Sequence, residues 1–100
     1  MEVLVHVATP KGAPGGAARA RACARAGIAW GCFLTNDGVR ALADPAFVAA
    51  LRPAARVAAC EYSWHQHMGN NIACPVELSS QTINSTLMGG TAAARRGRSD

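Results

Sequence analysis

Three short apolar runs without polar alternation constrain this chain more than any other feature. They are Val3 to Ala8, Ile28 to Leu34 and Arg56 to Cys60. A strand that shows one face to water alternates apolar and polar residues, whereas a run that does not alternate reads as buried on both faces. Helix-forming stretches separate the runs. Ala17 to Ala26 is built mostly of Ala and Arg, and Gly27 is placed to end it. Val39 to Ala43 reads as a short helix that Asn36 or Asp37 can cap. Pro45 opens another helix to about Leu51, and Pro53 closes it. Buried strands separated by helices imply a mostly parallel sheet with both faces covered. The expected fold is therefore α/β, a three-layer α/β/α domain with a mainly parallel sheet of four or five strands.

The rest of the chain completes the pattern. Thr9 to Gly16 is rich in Gly and Pro and reads as a loop. The stretch after Cys60, through Asn71, reads as a loop with one helical turn at most. Pro75 to Leu78 is a short fourth strand, and Ser79-Ser80 looks like the start of a short amphipathic helix ending near Met88. Residues 1–90 thus form one domain, and residues 91–100 read as a basic, disordered tail.

Charge excludes one class of partner. The formal net charge of the 100 residues is +4. Three of the positive charges are Arg95, Arg96 and Arg98, so residues 1–90 are close to neutral. No nucleic-acid surface is expected from that balance. No apolar run approaches the length of a membrane span, and the first residues lack a basic, then long apolar, leader. The expectation is a cytoplasmic, reduced setting, with no membrane partner. Its four cysteines, Cys23, Cys32, Cys60 and Cys74, are then free thiols or ligands and not structural disulfides.

Among the four, Cys60 stands apart. It lies where the apolar run Arg56-Val-Ala-Ala-Cys60 meets the polar, aromatic run Glu61-Tyr-Ser-Trp-His-Gln-His67. A cysteine at the end of a buried strand lies at the rim of the sheet, and in open α/β sheets ligands and catalytic groups gather outside the carboxyl ends of the strands. A thiol there can be reached by partners. His65 and His67 follow closely enough for a turn to bring one beside the sulfur. Cys23 falls in a helix and Cys32 in a strand, where a cysteine acts as a small core residue.

Three segments together resemble the DsrE/DsrF-like family of small sulfur-relay proteins. The first is the opening strand with its Gly-bearing loop and Ala-rich helix. The second is Phe33-Leu-Thr-Asn-Asp-Gly-Val39. The third is Val57-Ala-Ala-Cys60, followed by Pro75-Val-Glu-Leu-Ser79 and a helix ending Leu87-Met88. The likeness spans roughly residues 1 to 90 and rests on pattern more than identity. Where many relatives carry a basic, Gly-containing turn after the cysteine, this chain has Glu61 to Gly69. The resemblance implies a persulfide carried on Cys60, no organic cofactor, and partners that are other sulfur carriers of the TusA-like or rhodanese-like kind. It also implies a homo-oligomer. Cys60, His65 and His67 are the expected catalytic residues.

Blander accounts compete. Cys60 can be an inert structural cysteine in a binding or assembly subunit of the same fold. Cys60, His65, His67 and Cys74 are all metal-ligand types, but their C-x4-H-x-H-x6-C spacing matches no structural zinc pattern, and no metal is expected. Cys74 can resolve a Cys60 disulfide or simply pack. Trp64 and Tyr62 can mark a contact surface or fold down onto the core. Gly12 to Gly16 occupies a phosphate-cradle position without a phosphate motif. Asn36 and Asp37 share the rim with Cys60, and capping accounts for them; the same holds for Ser79 to Asn84.

Overall fold

The computed structural model describes residues 2–80 and the backbone of residues 95–98. Five strands, β1 (Val3–Val7), β2 (Trp30–Leu34), β3 (Arg56–Cys60), β4 (Glu77–Ser79) and β5 (Arg95–Arg98), form one sheet in the order β4-β3-β2-β1-β5. Every pairing is parallel. Three helices, α1 (Ala13–Ala26), α2 (Pro45–Leu51) and α3 (Glu61–Met68), run between strands, with 3-10 segments at Pro10–Gly12 and Asn36–Ala43. The expected α/β architecture with a parallel sheet is the one observed.

Side-chain alternation divides the sheet into two faces. Val5, Val7, Trp30, Cys32, Leu34 and Ala59 pack into one cluster with Ala17 and Ala20 of α1, Phe47 and Leu51 of α2, and Trp64 of α3. On the opposite face, Leu4, Phe33, Ala58 and Cys60 form a second buried cluster. Burial on both faces explains why the strand sequences do not alternate, and it makes the fold three-layered. All five residues of β2 are buried.

The ends of the elements follow from local chemistry. Pro14 lies in the first turn of α1, where its ring suits the backbone, so the helix begins at Ala13 and not at Ala17. Gly27 closes it at φ 70° while the Ile28 N–H reaches Cys23 O at 3.0 Å. The Asp44 carboxylate accepts from Ala46 N–H at 3.0 Å and caps α2, as its Pro45 start implied. Gly38 cannot carry a side chain: a Cβ there would stand 2.4 Å from the Val7 carbonyl oxygen. That close approach locks the 3-10 segment onto the end of β1.

Several expectations need correction. The short helix at Val39 is a longer 3-10 helix that begins at Asn36, and its N-cap residue, Thr35, makes no side-chain cap bond. Neither Asn36 nor Asp37 caps it. β2 starts at Trp30 rather than Ile28, and β4 spans Glu77–Ser79 rather than starting at Pro75, which has no N–H for a ladder. The stretch after Cys60 is not a loop but helix α3. Its polar surface hid a helix anchored by the buried Ser63 and Trp64. Residues 95–98, expected in a disordered tail, form β5 beside β1. The expected helix from Ser79 to Met88 falls, beyond Ser80, outside the described residues.

Candidate thiol site

The site is built where β3 turns directly into α3. Cys60 ends the strand and is at once the residue from which the helix starts, with an extended backbone at φ −64° and ψ 121°. No loop intervenes. The sulfur therefore belongs to the carboxyl-end rim of the sheet and also to a helix N-terminus, where the aligned peptide dipoles favour negative charge. Cys60 is 6% exposed, at the end of the Leu4, Phe33 and Ala58 cluster.

Beside it opens a cleft of about 710 Å³, of a size that suits small ligands. From α3 and its start come Cys60, Glu61, Tyr62, Ser63 and His65, and Asn36 and Ser80 line the other side. Tyr62 is 73% exposed and stands on the lip. His65 Nε2 lies 3.9 Å from Glu61 Oε1, one helical turn away, so a protonated His65 would be ion-paired. His65 thus shares the cleft with Cys60. His67 does not line it. In a helix, residues two apart point to different faces, so the step from loop to helix separates the two histidines.

Trp64 explains why α3 is fixed. It is 2% exposed, packs into the helix-side cluster, and its indole N–H donates to Ile72 O at 3.0 Å. Of the two readings of this residue, folding onto the core is the observed one. Ser63, also buried, ties the helix to the neighbouring strand end: its Oγ accepts the Asn36 N–H at 2.8 Å. Asn36 has φ 52°, the one non-glycine residue in the left-handed region among those described.

Sequence reasoning did not single out Ser63, Thr35 or His6. Thr35 is buried, follows β2 directly, and its Oγ1 lies 2.7 Å from His6 Nε2, while the His6 ring stacks against Phe33 with centroids 6.1 Å apart. The available signal was a lone imidazole inside the apolar run Val3 to Ala8, a polar group that a buried strand must satisfy.

The other cysteines are differently placed. All four are free thiols. Cys32 is fully buried, and desolvation pushes its thiol up to about 12. Cys23 is buried in α1. Cys74 is half-buried against the helix-side cluster, whereas Cys60 belongs to the cluster on the opposite sheet face. Burial raises the Cys74 pKa, partly offset by a backbone hydrogen bond at Val76. Among the described residues, no group of three or more His, Cys, Asp or Glu side chains is arranged to hold a metal. Nor, among them, is any helix long and apolar enough to cross a membrane. The Gly12 to Gly16 stretch does not form a phosphate loop but the 3-10 turn and first turn of α1, and it does not line the cleft. Compared with known proteins, the chain matches no family model and no curated protein.

Proposed function

We propose that the chain is a sulfur-relay protein that carries a persulfide on Cys60. The observation that carries this reading is the junction itself: a cysteine that ends a sheet strand, starts a helix, and borders an open cleft containing an imidazole. A sulfur carrier needs a thiolate at an accessible rim, a nearby group that exchanges protons, and space for a donor. In the reaction, Cys60 loses its proton to His65 or to solvent, and its thiolate attacks the outer sulfur of a donor persulfide. A new S–S bond forms at Cys60, the donor's S–S bond breaks, and the departing thiolate takes up a proton. The net change is transfer of one sulfur atom, with no external oxidant. His65 is the proton-exchanging residue in this reading, and His67 has no part in it.

The partners that fit are other sulfur carriers, TusA-like or rhodanese-like, in a reduced cytoplasmic setting, with the chain itself a homo-oligomer. Tyr62 and Ile72, the two large apolar side chains that are exposed among the described residues, support the contact surface such an assembly requires. No organic cofactor or metal enters the mechanism.

One observation favours a second reading. Cys60 is as buried as Leu4 and Phe33 beside it. A binding or assembly subunit of the same fold would keep such a cysteine for packing alone. Incubation with a low-molecular-weight persulfide, followed by mass spectrometry, separates the two. The relay reading expects a gain of one sulfur atom on Cys60 and none on Cys60→Ser. Equal uptake by both proteins, or none by either, rejects it.

A further inference from the structure

Asn36 is the residue of this rim whose local structure leaves it unexplained. Its left-handed backbone suits Gly better than any residue with a side chain, and Asn is tolerated there at some cost. Capping does not account for it, because the 3-10 helix that begins at Asn36 has Thr35 as its N-cap. Its N–H is committed to Ser63 Oγ, which fixes the strand end to the first turn of α3. Its carboxamide makes no hydrogen bond within the described structure. The side chain is exposed and lines the cleft that contains Cys60 and His65. The backbone is thus held rigidly while a free amide, a donor and acceptor in one group, faces the space a reagent must occupy.

We propose that the Asn36 carboxamide binds the negative charge of the group that reacts at Cys60, donating its N–H to the anionic sulfur or carboxylate of the incoming molecule. The inference rests on Cys60 being the reactive thiol, and it adds the specificity residue: the site favours anionic donors such as persulfides. Glu61, on the far side of Cys60 in sequence, lines the same cleft, and its carboxylate carries the same sign as such a donor. A donor of hydrogen bonds is therefore needed on the Asn36 side if an anion is to approach. A hydrogen bond to a charged group is strong enough to change rates about tenfold.

Asn36→Gly and Asn36→Asp test it. Glycine keeps the left-handed turn and removes the amide; aspartate keeps the shape and removes the donor. Both proteins are folded variants by design, and thermal melting checks this, with Asn36→Gly expected to melt at or above the wild-type temperature. Cys60 alkylation is then timed with iodoacetate, which is anionic, and iodoacetamide, which is neutral. The ratio of the two rates is expected to fall about tenfold in Asn36→Gly and further in Asn36→Asp. An unchanged ratio in folded Asn36→Gly overturns the proposal and makes Asn36 a turn residue only. This readout needs no sulfur transfer, so it stands or falls apart from the relay reading. Persulfide loading of the same variants supplies the second arm: loading lost in Cys60→Ser but unchanged in Asn36→Gly upholds the relay and rejects the Asn36 role.

Discussion

Cys32 and Cys60 occupy adjacent strands and are both buried, yet their surroundings permit opposite chemistry. Cys32 lies in the middle of β2, a strand buried along its whole length, and desolvation drives its thiol up to about 12. Cys60 lies at the last position of β3, where the backbone passes into α3 and a cleft begins. Solvent exposure separates the two by only a few per cent. What separates them is position along the strand. A mid-strand thiol meets apolar side chains in every direction, whereas a strand-end thiol meets a helix N-terminus and open space. Burial class alone would have treated the two as the same residue.

The largest effect is expected from removing what holds the rim in place. Trp64 is the buried anchor of α3, and Trp64→Ala should cost about 3–5 kcal/mol in denaturant unfolding. If the variant keeps wild-type stability, α3 is not fixed by its indole, and the environment assigned to Cys60 must be redrawn. The same indole separates the two aromatics: Trp64 is buried and not available as a contact residue, whereas Tyr62 is exposed.

Serine substitution sharpens the contrast between the thiols. Cys32→Ser places a hydroxyl in a fully apolar site and should cost about 1–3 kcal/mol. Cys60→Ser leaves the hydroxyl at the polar rim and should cost less than about 1 kcal/mol, while abolishing sulfur uptake. Equal costs at the two positions would remove the distinction between mid-strand and strand end.

The ionisation of Cys32 gives a pH signature. Its folded-state pKa is raised from the ordinary value of 9.0 to about 12, so the folded protein prefers the neutral thiol. Its contribution is therefore fully present below about pH 9 and is lost as pH rises toward about 12, because the unfolded chain releases that proton first. Urea midpoints measured across this range should fall more steeply for the wild type than for Cys32→Ala. Parallel curves would show that Cys32 is not buried as described.

Much of this was legible in the sequence. The non-alternating runs fixed the parallel sheet, and the Arg56 to Cys60 strand has the expected bounds. The strand end placed Cys60 on the rim without any structure. The helix after it was not legible, because Glu61 to Met68 is mostly polar: Trp64, with Met68 one turn on, packs on the core, and a single apolar pair leaves too little periodicity to read. That is also why His65 and His67 could not be told apart. The role of Ser63 depends on Asn36, which is distant in sequence and adjacent only after the sheet forms.

The smallest effect concerns the lip of the cleft. Tyr62 is exposed, so Tyr62→Ala should change stability by less than about 0.5 kcal/mol. If the chain self-associates through this lip, light scattering should report a lower mass for the variant than for the wild type. An unchanged mass moves the interface elsewhere.

The comparison between the two strands is tested most directly by limiting alkylation of the native protein, with modification mapped at each cysteine. The account predicts that Cys60 is modified first, that half-buried Cys74 follows, and that Cys32 reacts only once the protein unfolds. Modification of Cys32, Cys23 or Cys74 ahead of Cys60 would contradict it.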